Sequence, residues 1–123
     1  MEEEEIRISE IIQDSSLVVS TGTLIKYLEY IKKNVKLPLK VTGVAWDFLY
    51  SDYGADTPNG RQVFELIGFD NNVEQCSNLF AEVRSVASGK VFSLQLFEFQ
   101  ALDQASKEGQ ILADYSYWIE NYI

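Results

Sequence analysis

The sequence predicts an α+β domain in which a small antiparallel sheet of about four strands packs with N-terminal helices and a C-terminal helix. Three observations carry that prediction. Apolar residues recur with helical period near both ends of the chain, whereas the middle reads with the two-residue period of strands. Helical and strand segments are segregated rather than alternating, which favours antiparallel pairing over a βαβ series. Finally, 123 residues with 46% hydrophobic content suffice for one core. A chain of this size buries roughly two-thirds of the surface its unfolded form exposes, so it needs neither disulfides nor metal merely to fold. A single domain spanning residues 1–123 is the expectation.

Glu2 to Glu5 form a like-charge run expected to stay solvated and frayed. Residues 6–13, IRISEIIQ, set Ile8, Ile11 and Ile12 on one stripe and predict a short helix, which Asp14-Ser15-Ser16 ends. Residues 17–19 have no decisive pattern. A stronger helix runs from about Thr23 to Asn34, because Leu24, Leu28, Ile31 and Val35 share a face that Tyr27 flanks. Ser20, Thr21 and Thr23 offer N-caps, the late lysines suit the negative end of the helix dipole, and Pro38 marks the exit.

Strand texture follows. LKVTGV (39–44) is one β-type run, and QVFELIGF (62–69) is apolar at nearly every position, as a strand buried on both faces would be. NLFAEVRSV and KVFSLQLF flank Ala87-Ser88-Gly89. Leu79, Ala81 and Val83 alternate with polar or outward positions, and Phe92, Leu94 and Leu96 alternate with Ser93 and Gln95, so the pair reads as a hairpin closed at Ser88-Gly89. Ile111, Leu112, Tyr115, Trp118, Ile119 and Tyr122 then form the apolar stripe of a C-terminal helix.

Charge narrows the function. Acids outnumber bases 19 to 10, there is no histidine, and the pI is about 4.4. That balance argues against nucleic acid and anionic membranes as partners, since bound phosphates are normally met by clustered Lys and Arg. Five of the ten bases lie within residues 26–40, whereas residues 41–123 hold 12 acids against 4 bases, so most of the chain carries a negative field. The lysine cluster has two readings, helix-dipole complement or partner contact.

Cys76 is the only cysteine, which excludes an internal disulfide and a thiolate metal cluster. With MEEEEIRISE at the N-terminus in place of a basic, apolar signal, a cytoplasmic location is the expectation. Absence of histidine removes the commonest general base and zinc ligand together. Neither GxxxxGK[ST] nor GxGxxG occurs, and Cys76 has no neighbouring cation to activate it, so the chain reads as a non-enzyme.

Hard cations such as calcium take oxygen ligands and need no nitrogen or sulfur. VAWDFLYSDYGAD (44–56) offers Asp47, Asp52 and Asp56 in a segment whose Gly54, Pro58 and Gly60 favour a loop. Trp46, Phe48 and Tyr50 alternate with Asp47 there, so the aromatics can anchor while Asp47 faces outward. DNNVE (70–74) supplies Asp70 and Glu74 as further candidates. It is not an EF-hand, because Gln75 and Ala81 stand where glycine and glutamate are required. For both segments the alternative is a solvated acidic surface.

The ordered blocks YLEYIKKNVKLPLKVTGVAWDFLY, VFELIGFD, AEVRSVASGKVFSL and LADYSYWIENY, covering roughly residue 24 to the end, resemble a small acidic bacterial calcium-binding family. That family includes the cyanobacterial calcium regulator of heterocyst differentiation. The resemblance implies a compact non-EF-hand α+β fold, calcium (Ca2+) held by surface carboxylates, and a buffer or sensor role. Asp47 stands where the family carries acids after V-T-G, while Ala45 and Trp46 replace acids at neighbouring places. Asp52, Asp56, Asp70 and Glu74 rest on chemistry alone. Expected partners are calcium ions and a regulatory protein or protease, with a monomer favoured because a net charge of −9 opposes self-association. The rival reading is an acidic interaction module for a basic protein, with little or no metal binding; a third is an adaptor that takes a peptide at a sheet edge.

Overall fold

The computed structural model describes residues 2–43, 63–70, 79–86 and 88–122. In chain order these form α1 (Glu3–Ile12), α2 (Thr21–Asn34), β1 (Leu39–Gly43), β2 (Val63–Phe69), β3 (Phe80–Ser85), β4 (Val91–Gln95), a 3-10 turn (Leu96–Glu98), β5 (Phe99–Ala101) and α3 (Lys107–Tyr122). The α+β class stands, with five strands rather than about four.

The glutamate run is helical, contrary to the frayed tail expected. Glu3, Glu4 and Glu5 occupy the first turn of α1, where the positive end of the helix dipole favours carboxylates, and the Glu2 amide donates to Glu5 Oε1 at 2.9 Å. At the other end Gln13 sits at φ 56°, in the left-handed region, and its amide donates to Ser9 O. Of the three possible caps for α2, Ser20 is the one used. Its Oγ accepts from the Thr23 amide at 3.2 Å, and its own amide donates to Thr23 Oγ1 at 2.9 Å, a reciprocal capping box. Lys32 and Lys33 fall in the last turn, at the negative pole.

The sheet is wholly antiparallel in the order β4-β3-β2-β1-β5. Gly89, at φ 75°, closes the β3–β4 hairpin, with its amide donating to Ser85 O at 2.8 Å. KVFSLQLF is not one strand, as its alternation suggested. The chain leaves β4 after Gln95, makes the 3-10 turn and re-enters as β5 on the opposite edge, against β1. Four residue steps span at most about 14 Å, whereas a flat five-stranded sheet is about 19 Å across. The sheet is therefore curled into a partly open barrel. The Phe64 ring of β2 accordingly meets both Phe92 of β4, at 6.3 Å, and Phe99 of β5, at 5.7 Å.

β2 is not buried on both faces. Phe64, Leu66 and Phe69 are buried, but Val63, Glu65, Ile67 and Gly68 are half-exposed, and a register shift between Leu66 and Gly68 breaks the alternation. Its second face is only partly covered, and Glu65 is held there by Arg84 at 3.1 Å.

The helices cover the core through an aromatic cluster. Tyr27 stacks on Trp118 at 5.6 Å and meets Tyr115 at 5.4 Å. Each polar tip is satisfied, as burial requires. Tyr27 Oη donates to Ile111 O at 2.8 Å, Trp118 Nε1 donates to Leu17 O at 2.8 Å, and Tyr115 Oη accepts from the Leu79 amide at 2.6 Å. α3 begins at a Ser106 cap, whose Oγ accepts from the Gly109 amide at 3.0 Å. It packs on α1, on the 3-10 turn and on β5. Tyr122, expected on the apolar stripe, is partly exposed, and its hydroxyl donates to Glu5 Oε2. No described helix is long and apolar enough to cross a membrane.

Candidate metal centre

The ladder fixes where the two acid-bearing segments attach. β1 ends at Gly43 and β2 begins at Val63, neighbours at one end of the sheet through the Thr42–Val63 pair. Val63 O also accepts from the Val86 amide at 3.1 Å, and Gly43 pairs with Phe99, so both attachment points are held from two sides. The segment carrying Asp47, Asp52 and Asp56 spans the interval between them, and those three residues lie outside the described residues. The other segment departs after Phe69 and returns at Phe80, at the far end of β2, about 20 Å away by strand rise.

Of that second pair, Asp70 is described and Glu74 lies outside the described residues. Asp70 is exposed immediately after β2, and its amide donates to Phe80 O at 3.1 Å, which closes the end of the β2–β3 ladder. β1 and β2 thus anchor the first segment at one end of β2, and β2 and β3 anchor the second at the other.

Sequence reasoning missed an acid near Asp70. Glu82 of β3 pairs with Gly68, two residues before Asp70, and a side chain added at Gly68 would start 3.7 Å from Glu82 Oε2. Its place in the outward half of the β3 alternation was the available signal; the register that sets it near Asp70 was not. Among the described residues, no three His, Cys, Asp or Glu side chains gather closely enough to hold an ion.

Other acids have structural work. Asp114, almost fully buried on α3, accepts two hydrogen bonds from Arg7: Nε to Oδ2 at 2.7 Å and Nη2 to Oδ1 at 2.9 Å. The hydrogen bonds to Asp114 push the Arg7 pKa up, outweighing partial desolvation. Asp14 accepts from both the Ser16 hydroxyl, at 2.6 Å, and the Ser16 amide, at 2.9 Å, which draws its carboxyl below the ordinary range. Glu65 is paired with Arg84 and stands opposite Lys40. The two connecting segments add further carboxylate oxygens, donors of the kind that calcium takes.

The fold defines an acidic, histidine-free α+β class built on a five-stranded antiparallel sheet rather than on EF-hand helix pairs. The chain belongs to the CcbP calcium-binding family, whose model, described as calcium binding, matches residues 7–119. The crystal structure of Anabaena CcbP is similar at a TM-score of 0.64 and 18% identity, over 94% of this chain and 88% of that one. A calcium binding protein in the calcium-binding form is similar at a TM-score of 0.65 and 19% identity, over 95% of this chain and 89% of that one. At such identities these likenesses establish the fold. No curated protein matches the chain.

Proposed function

We propose that this protein binds calcium through carboxylates of the segment joining β1 to β2, with Asp47 as its principal ligand, and acts as a non-enzymatic calcium buffer or sensor in the cytoplasm. The observation that carries the reading is the family match across nearly the whole chain. The chemistry agrees: oxygen donors abound, histidine is absent, and two described acids that would otherwise compete, Glu65 and Asp114, are already paired with arginines. Asp52 and Asp56 complete the set, while Asp70 and Glu74, attached at the other end of the sheet, form at most a second site with Glu82.

Calorimetric titration with calcium in low-magnesium buffer tests this. Saturable heat that falls strongly in Asp47→Ala and little in Asp70→Ala is expected. A flat isotherm at millimolar calcium contradicts it.

A further inference from the structure

A second feature lies away from both acid-bearing segments. On α3, Ala113, Ser116, Tyr117 and Glu120 follow one another at i, i+3, i+4 and i+7 and so share a face. Beside this stripe run Phe97 of the 3-10 turn and Phe99 of β5, and between them opens a groove of about 270 Å³. It is built, not accidental: Ser116 Oγ donates to Phe97 O at 3.0 Å and locks the helix to the turn. Among the described residues, no Lys or Arg lines it.

We propose that this groove docks a lysine- or arginine-bearing segment of a basic partner protein. The volume suits one long side chain rather than a cofactor, being below the usual range for small-molecule pockets. The partly exposed rings of Phe97 and Tyr117 favour the aliphatic stem and, through their π faces, the cationic head, with the buried Phe99 as the apolar floor, while Glu120 supplies a counter-charge at the rim. Ala113 and Ser116 are small enough to let a backbone approach.

One further observation supports a cationic occupant. The Tyr117 hydroxyl is pushed up first by partial desolvation and then by the charges of Glu5, Glu2 and Glu4, so the first turn of α1 extends a negative field to the groove.

The probe is a fluorescein-labelled octapeptide of alternating lysine and valine, read by anisotropy with the full chain at moderate salt, once with calcium and once with chelator. Saturable binding is expected in both, so failure here and failure of calcium binding are distinguishable. Glu120→Lys and the charge-neutral Ala113→Phe, which fills the groove, should each weaken binding by about tenfold or more. Glu29→Lys, an equal charge change on the exposed face of α2, should weaken it much less. Equal losses in Glu120→Lys and Glu29→Lys would mean diffuse attraction to an acidic protein. That outcome, unaltered binding in Ala113→Phe, or equal binding of a glutamate-valine peptide overturns the proposal.

Discussion

Gln13 illustrates how single residues carry strain or support in this fold. It holds a left-handed conformation that costs a non-glycine residue roughly 1 kcal/mol, and it is exposed, so its side chain contributes little in return. Gln13→Gly should stabilise the protein by up to about 1 kcal/mol in urea unfolding. Gly109 predicts the opposite sign. Alanine normally gains about 1 kcal/mol over glycine within a helix. Here, however, its Cβ would fall 2.6 Å from Asp103 O and 2.8 Å from Gln104 Cα, backbone atoms that cannot swing aside. Gly109→Ala should therefore destabilise by about 1–3 kcal/mol. Arg7→Ala would strand the buried Asp114 carboxylate. With Arg7 about one-third exposed, its loss should cost on the order of 2–3 kcal/mol, less than for a wholly buried pair, and Arg7→Met combined with Asp114→Leu should recover much of it.

Elements that a single period specifies were legible in the sequence. The α2 and α3 stripes and the β3 alternation emerge as expected because each depends on neighbours three, four or two residues away. β5 was not legible, since alternation through KVFSLQLFEFQ does not reveal that the chain crosses from one sheet edge to the other. Nor was the helical first turn of α1, where the dipole and the Glu2–Glu5 hydrogen bond outweigh like-charge repulsion. The Arg7–Asp114 pair joins residues 107 positions apart and leaves no local signature. The same holds for the long-range tyrosine bonds, which make the helix layer sensitive to alkali. Burial pushes the Tyr27 and Tyr115 hydroxyls well above their ordinary value of 10.0. Above pH 10 the unfolded chain loses these protons while the folded one retains them, so stability is full below that pH and declines as pH rises beyond it. Urea midpoints from pH 8 to 11 should show this decline, shallower in Tyr115→Phe. That variant starts lower, by about 1–2 kcal/mol, because the buried Leu79 amide loses its acceptor.

At the scale of the whole molecule, a curled sheet and its helix layer anchor two acid-bearing connections by opposite ends of β2, on a chain of net charge −9. The sequence pointed to carboxylates and calcium. It offered five acids in two separate segments, of which Asp70 is among the described residues and Asp47, Asp52, Asp56 and Glu74 lie outside them; the register that fixes where the segments attach is encoded by no local pattern. Calcium bound to the folded state alone should stabilise it, by about 2.7 kcal/mol at a hundredfold excess over Kd. A coordinated ion should keep that effect in high monovalent salt, whereas contacts made only by surface charge should fade. The most direct measurement is a calcium titration followed through the backbone amide NMR spectrum. Saturable shifts concentrated in residues 44–62, and lost in Asp47→Ala, are the predicted result. Shifts centred on Glu2–Glu5, or an unchanged spectrum at millimolar calcium, would contradict it.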